Sequence, residues 1–196
     1  LYIPLKASIS FFNYDGSELP SIAAASLGMR NAFQGAWSNA ATPQLLLGGS
    51  SDLVAVDPST LAVQWSFRNI DVSGLSVLPT HGVVVVATSE GLRTHRTLDG
   101  TLICRISVDT SYTFAAADSA SGLVFTSLWD PPHAVHAWSW VPSSVDQASA
   151  AAGALVPLGP VAAAGEATSL RPLAVMPPAP GKHASHLIVG KFLTSE

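Results

Sequence analysis

The sequence predicts an all-β fold, a β-propeller of four-stranded antiparallel blades, on three observations. Aspartate-containing turns recur at a fixed gap: Asp15, Asp57 and Asp99 stand 42 residues apart. Between them lie short apolar runs bounded by Gly and Pro, the form taken by strands buried on both faces. No long amphipathic helical pattern appears anywhere in the 196 residues. Four strands in a unit of about 40–50 residues is the arithmetic of a propeller blade. A β-sandwich has a similar strand density but gives no reason for a fixed period.

The turns share one chemistry. Phe12-Asn13-Tyr14-Asp15-Gly16-Ser17-Glu18-Leu19, Val54-Ala55-Val56-Asp57-Pro58-Ser59-Thr60-Leu61 and Arg96-Thr97-Leu98-Asp99-Gly100-Thr101-Leu102 each place an Asp between strand-like residues. The carboxylate bonds its own turn backbone, and Gly permits a positive φ. One further period reaches Val141-Pro142-Ser143-Ser144-Val145, which keeps the turn character and loses the aspartate. The apolar runs are Gln44-Leu45-Leu46-Leu47, Gly82-Val83-Val84-Val85-Val86-Ala87, Gly122-Leu123-Val124-Phe125-Thr126 and His186-Leu187-Ile188-Val189. The clearest unit has strands near residues 75–78, 83–87, 92–97 and 102–107, joined at Pro79-Thr80-His81-Gly82, Ser89-Glu90-Gly91 and Asp99-Gly100.

The blades follow. Residues 1–25 are expected to be a partial blade (its last two strands), 33–67, 75–107 and 112–158 three whole ones, and 170–196 another partial one (its first two strands). Residues 145–168 are rich in Ala, Ser, Gly and Pro, and are expected to be a flexible insertion. The two partial blades combine in a four-bladed ring, or the chain is part of a ring of six to eight; the larger ring is preferred. The chain opens and closes on strand-like residues, as a piece of a longer protein would.

The segment Asp52-Leu53-Val54-Ala55-Val56-Asp57-Pro58-Ser59-Thr60-Leu61-Ala62-Val63-Gln64-Trp65-Ser66-Phe67 resembles a quinoprotein-like (PQQ-like) propeller repeat. Such repeats read as a strand ending in Ala-x-Asp, a short turn, and a strand ending in Trp. The next unit keeps Leu98-Asp99-Gly100-Thr101 but has no Trp in its last strand. The resemblance implies a propeller. It also implies, as an alternative function, a PQQ-dependent oxidoreductase holding its quinone with calcium. That family's vicinal disulfide cannot form here, because Cys104 stands alone. Trp129-Asp130 is WD40-like as a dipeptide, but it follows the second strand of its unit and precedes Pro131-Pro132. It reads as a strand end and loop.

Composition excludes several function classes. Apolar residues are 48% and charged residues 11%, against about 25% charged in typical domains. A disordered tail needs the opposite balance. A net charge of −4 with nine Lys and Arg leaves no basic surface for a nucleic-acid backbone. The single cysteine excludes an internal disulfide framework and a multi-cysteine zinc site. It fits the cytoplasm, although a secreted chain without disulfides would look the same. The longest charge-free apolar stretch, residues 148–165, is broken by Pro157 and Pro160, so no membrane span is expected.

Candidate chemistry is sparse. His133/His136 and His183/His186 are His-x-x-His pairs, but on a strand such positions point to opposite faces. Zinc also needs a third protein ligand, and no metal or cofactor is expected. No Gly-x-Ser-x-Gly elbow occurs, Gly48-Gly49-Ser50-Ser51 reads as a turn, and Cys104 reads as a buried thiol within a strand. Glu90 and Asp130 fall in corresponding loops of their blades. Trp138 and Trp140 share one strand face with His136; that stripe either packs against the next blade or binds a peptide or flat ligand. The candidate binding residues are Asp130, His133, His136, Trp138 and Trp140. The expected function is a non-catalytic interaction scaffold that binds a peptide or protein partner through one rim of loops, including residues 39–43, 79–82, 119–122 and 178–185.

Overall fold

The computed structural model describes residues 2–5, 7–12, 17–32, 34–38, 43–107, 111–128, 134–143, 153–163, 168–176 and 186–193. The described strands form five antiparallel sheets. The first holds β1 (Tyr2–Leu5), β2 (Ser8–Phe12) and β3 (Glu18–Ala23). The second holds β4 (Gln34–Ser38), β5 (Gln44–Gly48), β6 (Asp52–Val56) and β7 (Val63–Arg68). The third holds β8 (Gly74–Leu78), β9 (Val83–Thr88), β10 (Gly91–Arg96) and β11 (Leu102–Ser107). The fourth holds β12 (Tyr112–Asp118), β13 (Leu123–Leu128), β14 (Ala134–Pro142) and β15 (Gly153–Ala163). The fifth pairs β16 (Thr168–Met176) with β17 (His186–Leu193).

Each sheet is a simple meander, and consecutive sheets meet through their first strands: β8 lies against β4 and β12, and β12 against β16. Gly74 makes this approach possible, since a Cβ there would fall 2.6 Å from Phe114 Cα. This is the blade arrangement of a β-propeller.

The two-residue period of a strand divides its side chains between two neighbouring blades. Leu45 and Leu47 join Ile9, Leu27, Val54 and Val56 in the core between the first and second sheets. Leu46, between them in sequence, faces the other way and packs with Leu53, Leu75, Val77, Val84 and Val86. Val83 and Val85 in turn join Tyr112, Val124, Trp138 and Trp140 between the third and fourth sheets. Middle strands are therefore near-continuous apolar runs: β5, β6 and β9 are buried along their whole length. The outer strands β7 and β11 are mainly exposed or half-buried.

Two boundaries differ from expectation. Gly153–Ala163, inside the stretch expected to be a flexible insertion, is the fourth strand of its blade and pairs with β14 along its length. Its Ala, Gly and Pro content hides the strand. Pro157 and Pro160 are tolerated because β15 ends the sheet, where one side of the strand needs no ladder bond. The first partial blade holds three strands, not two. The 42-residue period aligns them with the second, third and fourth strands of the next blade.

Candidate functional site

A cleft of about 240 Å³ opens on one rim, between the second and third blades. Three loops supply its walls. Ser50 and Ser51 come from the turn between β5 and β6, and Asn69, Ile70 and Asp71 from the link between β7 and β8. Thr88 ends β9, Ser89 and Glu90 come from the turn between β9 and β10, and Arg93 from β10 itself.

Local bonds hold each wall. Val72 N–H donates to Gly49 O at 2.9 Å and Ile70 N–H to Ser51 O at 3.3 Å, tying the inter-blade link to the second blade. Asn69 sits at φ 59°, a left-handed conformation that asparagine tolerates better than most residues. Beneath these loops, Asp52 accepts from the Arg68 guanidinium, the Arg30 amide and the Ser51 hydroxyl. Burial alone would raise its pKa. The Arg68 hydrogen bond and charge, with the Arg30 amide, outweigh burial and hold the carboxyl below its ordinary value. On the opposite wall, Thr88 Oγ1 donates to Gly91 O at 2.9 Å and accepts from Glu90 N–H at 3.2 Å.

The charges are unevenly committed. Glu90 Oε2 receives Arg93 at 2.9 Å and Arg105 at 2.8 Å. The Glu90 carboxylate is thus matched by two guanidinium groups. Asp71 is exposed and makes no hydrogen bond or ion pair among the described residues. Hydroxyl, amide and carboxylate groups dominate the walls, with Ile70 the apolar exception.

The sequence-predicted binding residues are placed differently. Trp138 and Trp140 do share a face with His136, and both indoles are 4% exposed in the core between the third and fourth blades. Trp138 Nε1–H donates to Thr126 Oγ1 at 2.9 Å, and Tyr112 meets both Trp138 and His136 edge-on. The packing role of this stripe is thus the one realised, and burial lowers the His136 pKa. Asp130 and His133 lie outside the described residues, between β13 and β14 in sequence. That is the chain position Glu90 holds in the third blade. His183 and Asp15 also lie outside them. Cys104 is half-buried on the outer strand β11.

The turn aspartates have the structural role their motif implies. Asp57 Oδ1 accepts from the Ser59 hydroxyl at 2.6 Å and amide at 2.7 Å, and these bonds lower its pKa. Asp99 Oδ1 accepts from Thr101 N–H at 3.0 Å, with the same result. Of the cleft residues, Ser50, Ser51, Ser89 and Glu90 stand in turns that the sequence predicts. The rest carry no motif, and their one signal is that the loops holding Ser50 and Glu90 follow the second strand of successive blades.

No family model and no curated protein matches the chain. Among solved structures it is similar to a chain of the mitotic checkpoint complex, at TM-score 0.66 and 12% identity over 89% of this chain and 53% of that one. It is similar to U3-55K at TM-score 0.58 and 14% identity, covering 68% and 43% of the two chains. It is similar to Chaetomium thermophilum Sqt1 bound to the N-terminus of ribosomal protein L10, at TM-score 0.53 and 13% identity, covering 68% and 41%. These are WD40 β-propeller proteins, and the likeness establishes the fold. The chain spans about half of their length or less.

Proposed function

We propose that this chain is a non-catalytic interaction scaffold that binds a peptide or protein partner through the rim bearing the cleft. The observation that carries the reading is the cleft itself. Its walls come from two adjacent blades, and it is lined by groups suited to hydrogen bonding rather than arranged as nucleophile and base. The neighbours support it by analogy of fold: one belongs to a multi-protein complex, and another is bound to a ribosomal protein's N-terminus. The rim of first-to-second-strand loops, to which the sequence pointed, is the opposite one. There Thr80 Oγ1 donates to Ser119 O at 3.0 Å, and residues 39–42 and 178–185 of that rim lie outside the described residues.

The test is selection from a random peptide display library on the wild-type protein and on Ser89→Trp, which fills the cleft from an exposed position. Peptides that saturate the wild type and are lost on Ser89→Trp support the reading. Peptides indifferent to the substitution, or an absence of saturable binders, overturn it.

The quinoprotein-like repeat type is supported by Trp65, whose Nε1–H donates to Thr97 O at 2.7 Å in the next blade. Among the described residues no three His, Cys, Asp or Glu side chains form a group that could hold a metal ion. No reaction step is derived through that family's quinone, and PQQ with calcium is expected to keep its free absorbance when mixed with the protein.

A further inference from the structure

We infer that the Asp99-Gly100 peptide is a site of spontaneous isoaspartyl modification, held closed by the packing of Trp65 from the preceding blade. An Asp-Gly sequence carries its own reagents. The Gly100 nitrogen attacks Asp99 Cγ, a C–N bond closes a five-membered succinimide, and the carboxyl OH leaves with the amide proton as water. Water then adds back. When it opens the ring at the original peptide carbonyl, the chain runs through Cβ and Cγ and is one backbone atom longer. No oxidant or further reactant takes part. Glycine presents the least obstructed nitrogen, having no Cβ. Asp57, in the matching turn of the second blade, is followed by Pro58, which has no N–H to give. Of the two described turn aspartates, only Asp99 can react this way.

The folded turn keeps both reagents occupied. Gly100 N–H donates to Arg96 O at 2.9 Å. Asp99 Oδ1 accepts from Thr101 N–H at 3.0 Å, and Oδ2 from the Arg96 guanidinium at 3.2 Å. These bonds favour the carboxylate over the acid that cyclisation needs. Trp65 closes the turn from outside. A Cβ on Gly100 would fall 2.6 Å from its Cε3, and its Nε1–H donates to Thr97 O at 2.7 Å. Swinging the Gly100 nitrogen toward Cγ breaks its bond to Arg96 and moves the glycine against the indole. Cyclisation therefore waits on the opening of the joint between the second and third blades. The added backbone atom then shifts Gly100 away from both contacts, so the modification leaves the joint unmade.

The test follows Asp99 in protein held in mildly acidic buffer and then digested. Chromatography and electron-transfer fragmentation separate the isoaspartyl peptide, whose mass is unchanged, and mass alone shows the succinimide, lighter by one water. Four samples are compared: the folded wild type, the wild type in urea, Trp65→Phe and Trp138→Phe. Trp138→Phe is the matched control, since it also loses one indole bond, to Thr126 Oγ1, but in the core between the third and fourth blades. A thermal melt first verifies that both variants fold, and Trp65→Tyr takes the place of Trp65→Phe if that variant does not. Conversion is expected to be at least about tenfold faster in urea than in the folded wild type. Trp65→Phe is expected to raise the folded rate about fivefold, and Trp138→Phe to leave it unchanged. A folded rate equal to that in urea overturns the inference. So does a rate that the Trp65 variant does not move, or that both variants raise alike.

Discussion

The indole of Trp65, at the end of one blade, lies against the Cα of Gly100, in the third-to-fourth-strand turn of the next. A Cβ on Gly100 would stand 2.6 Å from Trp65 Cε3. The same indole donates to Thr97 O, on the other arm of that turn. One side chain therefore reads both the shape and the hydrogen-bonding of its neighbour's turn, and the 42-residue repeat becomes a contact between blades.

Gly100→Ala tests this joint. Gly100 has φ 73°, where an L-residue costs about 1–2 kcal/mol. The added methyl also displaces the indole. The expected result is a stability loss of about 2 kcal/mol or more, read from the urea midpoint at unchanged m-value. Trp65→Phe keeps most of the ring, loses the bond to Thr97, and is expected to cost about 1 kcal/mol. Gly82→Ala is the control, because its φ is 61° but its Cβ meets nothing closer than 3.8 Å. It should lose only the conformational part.

His95 lies behind the same joint and carries a pH dependence. It is fully buried, with Nδ1 3.0 Å from Gly100 O and its ring edge-on to Phe67 at 4.7 Å. A carbonyl partner makes Nδ1 the protonated nitrogen, so Nε2 is the site that must take the second proton, and it has no partner among the described residues. Burial lowers its pKa, the Gly100 bond opposes this, and the charge of Arg93 adds to the lowering. The unfolded chain, with an ordinary pKa of about 6.5, then binds the proton first. Stability is full above that value and falls as pH drops toward the lower folded pKa. Thermal melts from pH 8 to pH 5 should show this fall. His95→Phe should flatten it against a His136→Phe background, which removes the second depressed histidine.

Asp52 makes a prediction about the cleft wall. Its side chain is 7% exposed and gathers Arg68, Arg30 and Ser51. Asp52→Ala leaves the Arg30 amide and the Ser51 hydroxyl short of a partner, while Arg68 keeps its bond to Gly28 O and regains hydration, and is expected to cost about 2 kcal/mol. Hydrogen exchange should quicken most at Ile70 and Val72, whose amides bond the adjoining turn. Because the folded pKa is depressed, this contribution is present above about pH 4 and lost as pH falls below it.

What was legible in the sequence was local. Asp57 and Asp99 announce their turns because each bonds residues two or three places on. Leu45-Leu46-Leu47 announces a central strand because both of its faces meet a blade. Trp138 and Trp140 could be given a common face by their spacing, but not a destination. Whether that face meets a partner or a neighbouring blade depends on Tyr112 and Val85, distant in sequence. The cleft was illegible for the same reason, since its walls join residues 50, 71 and 90 with no motif among them. Strand β15 was illegible because its Pro and Gly deny a strand on propensity, and pairing with β14 overrides them.

That outer strand carries the last prediction. Along β15 the register with β14 shifts twice, leaving Leu158 and Val161 as the unpaired extra residues. They are 59% and 53% exposed, as bulge residues at a sheet edge are when the strand turns away from its partner. Pro157 and Pro160 beside them lack the N–H that an added strand would need. Two bulges and two prolines together keep an apolar edge from templating another chain. Pro157→Val with Pro160→Val should restore two donors and raise self-association, seen as concentration-dependent mass in sedimentation velocity. Leu158→Lys in the same background should reverse it with a stability change within about 0.5 kcal/mol, because the leucine packs little where it stands. Self-association unmoved by the double valine variant would mean that the bulges alone silence the edge.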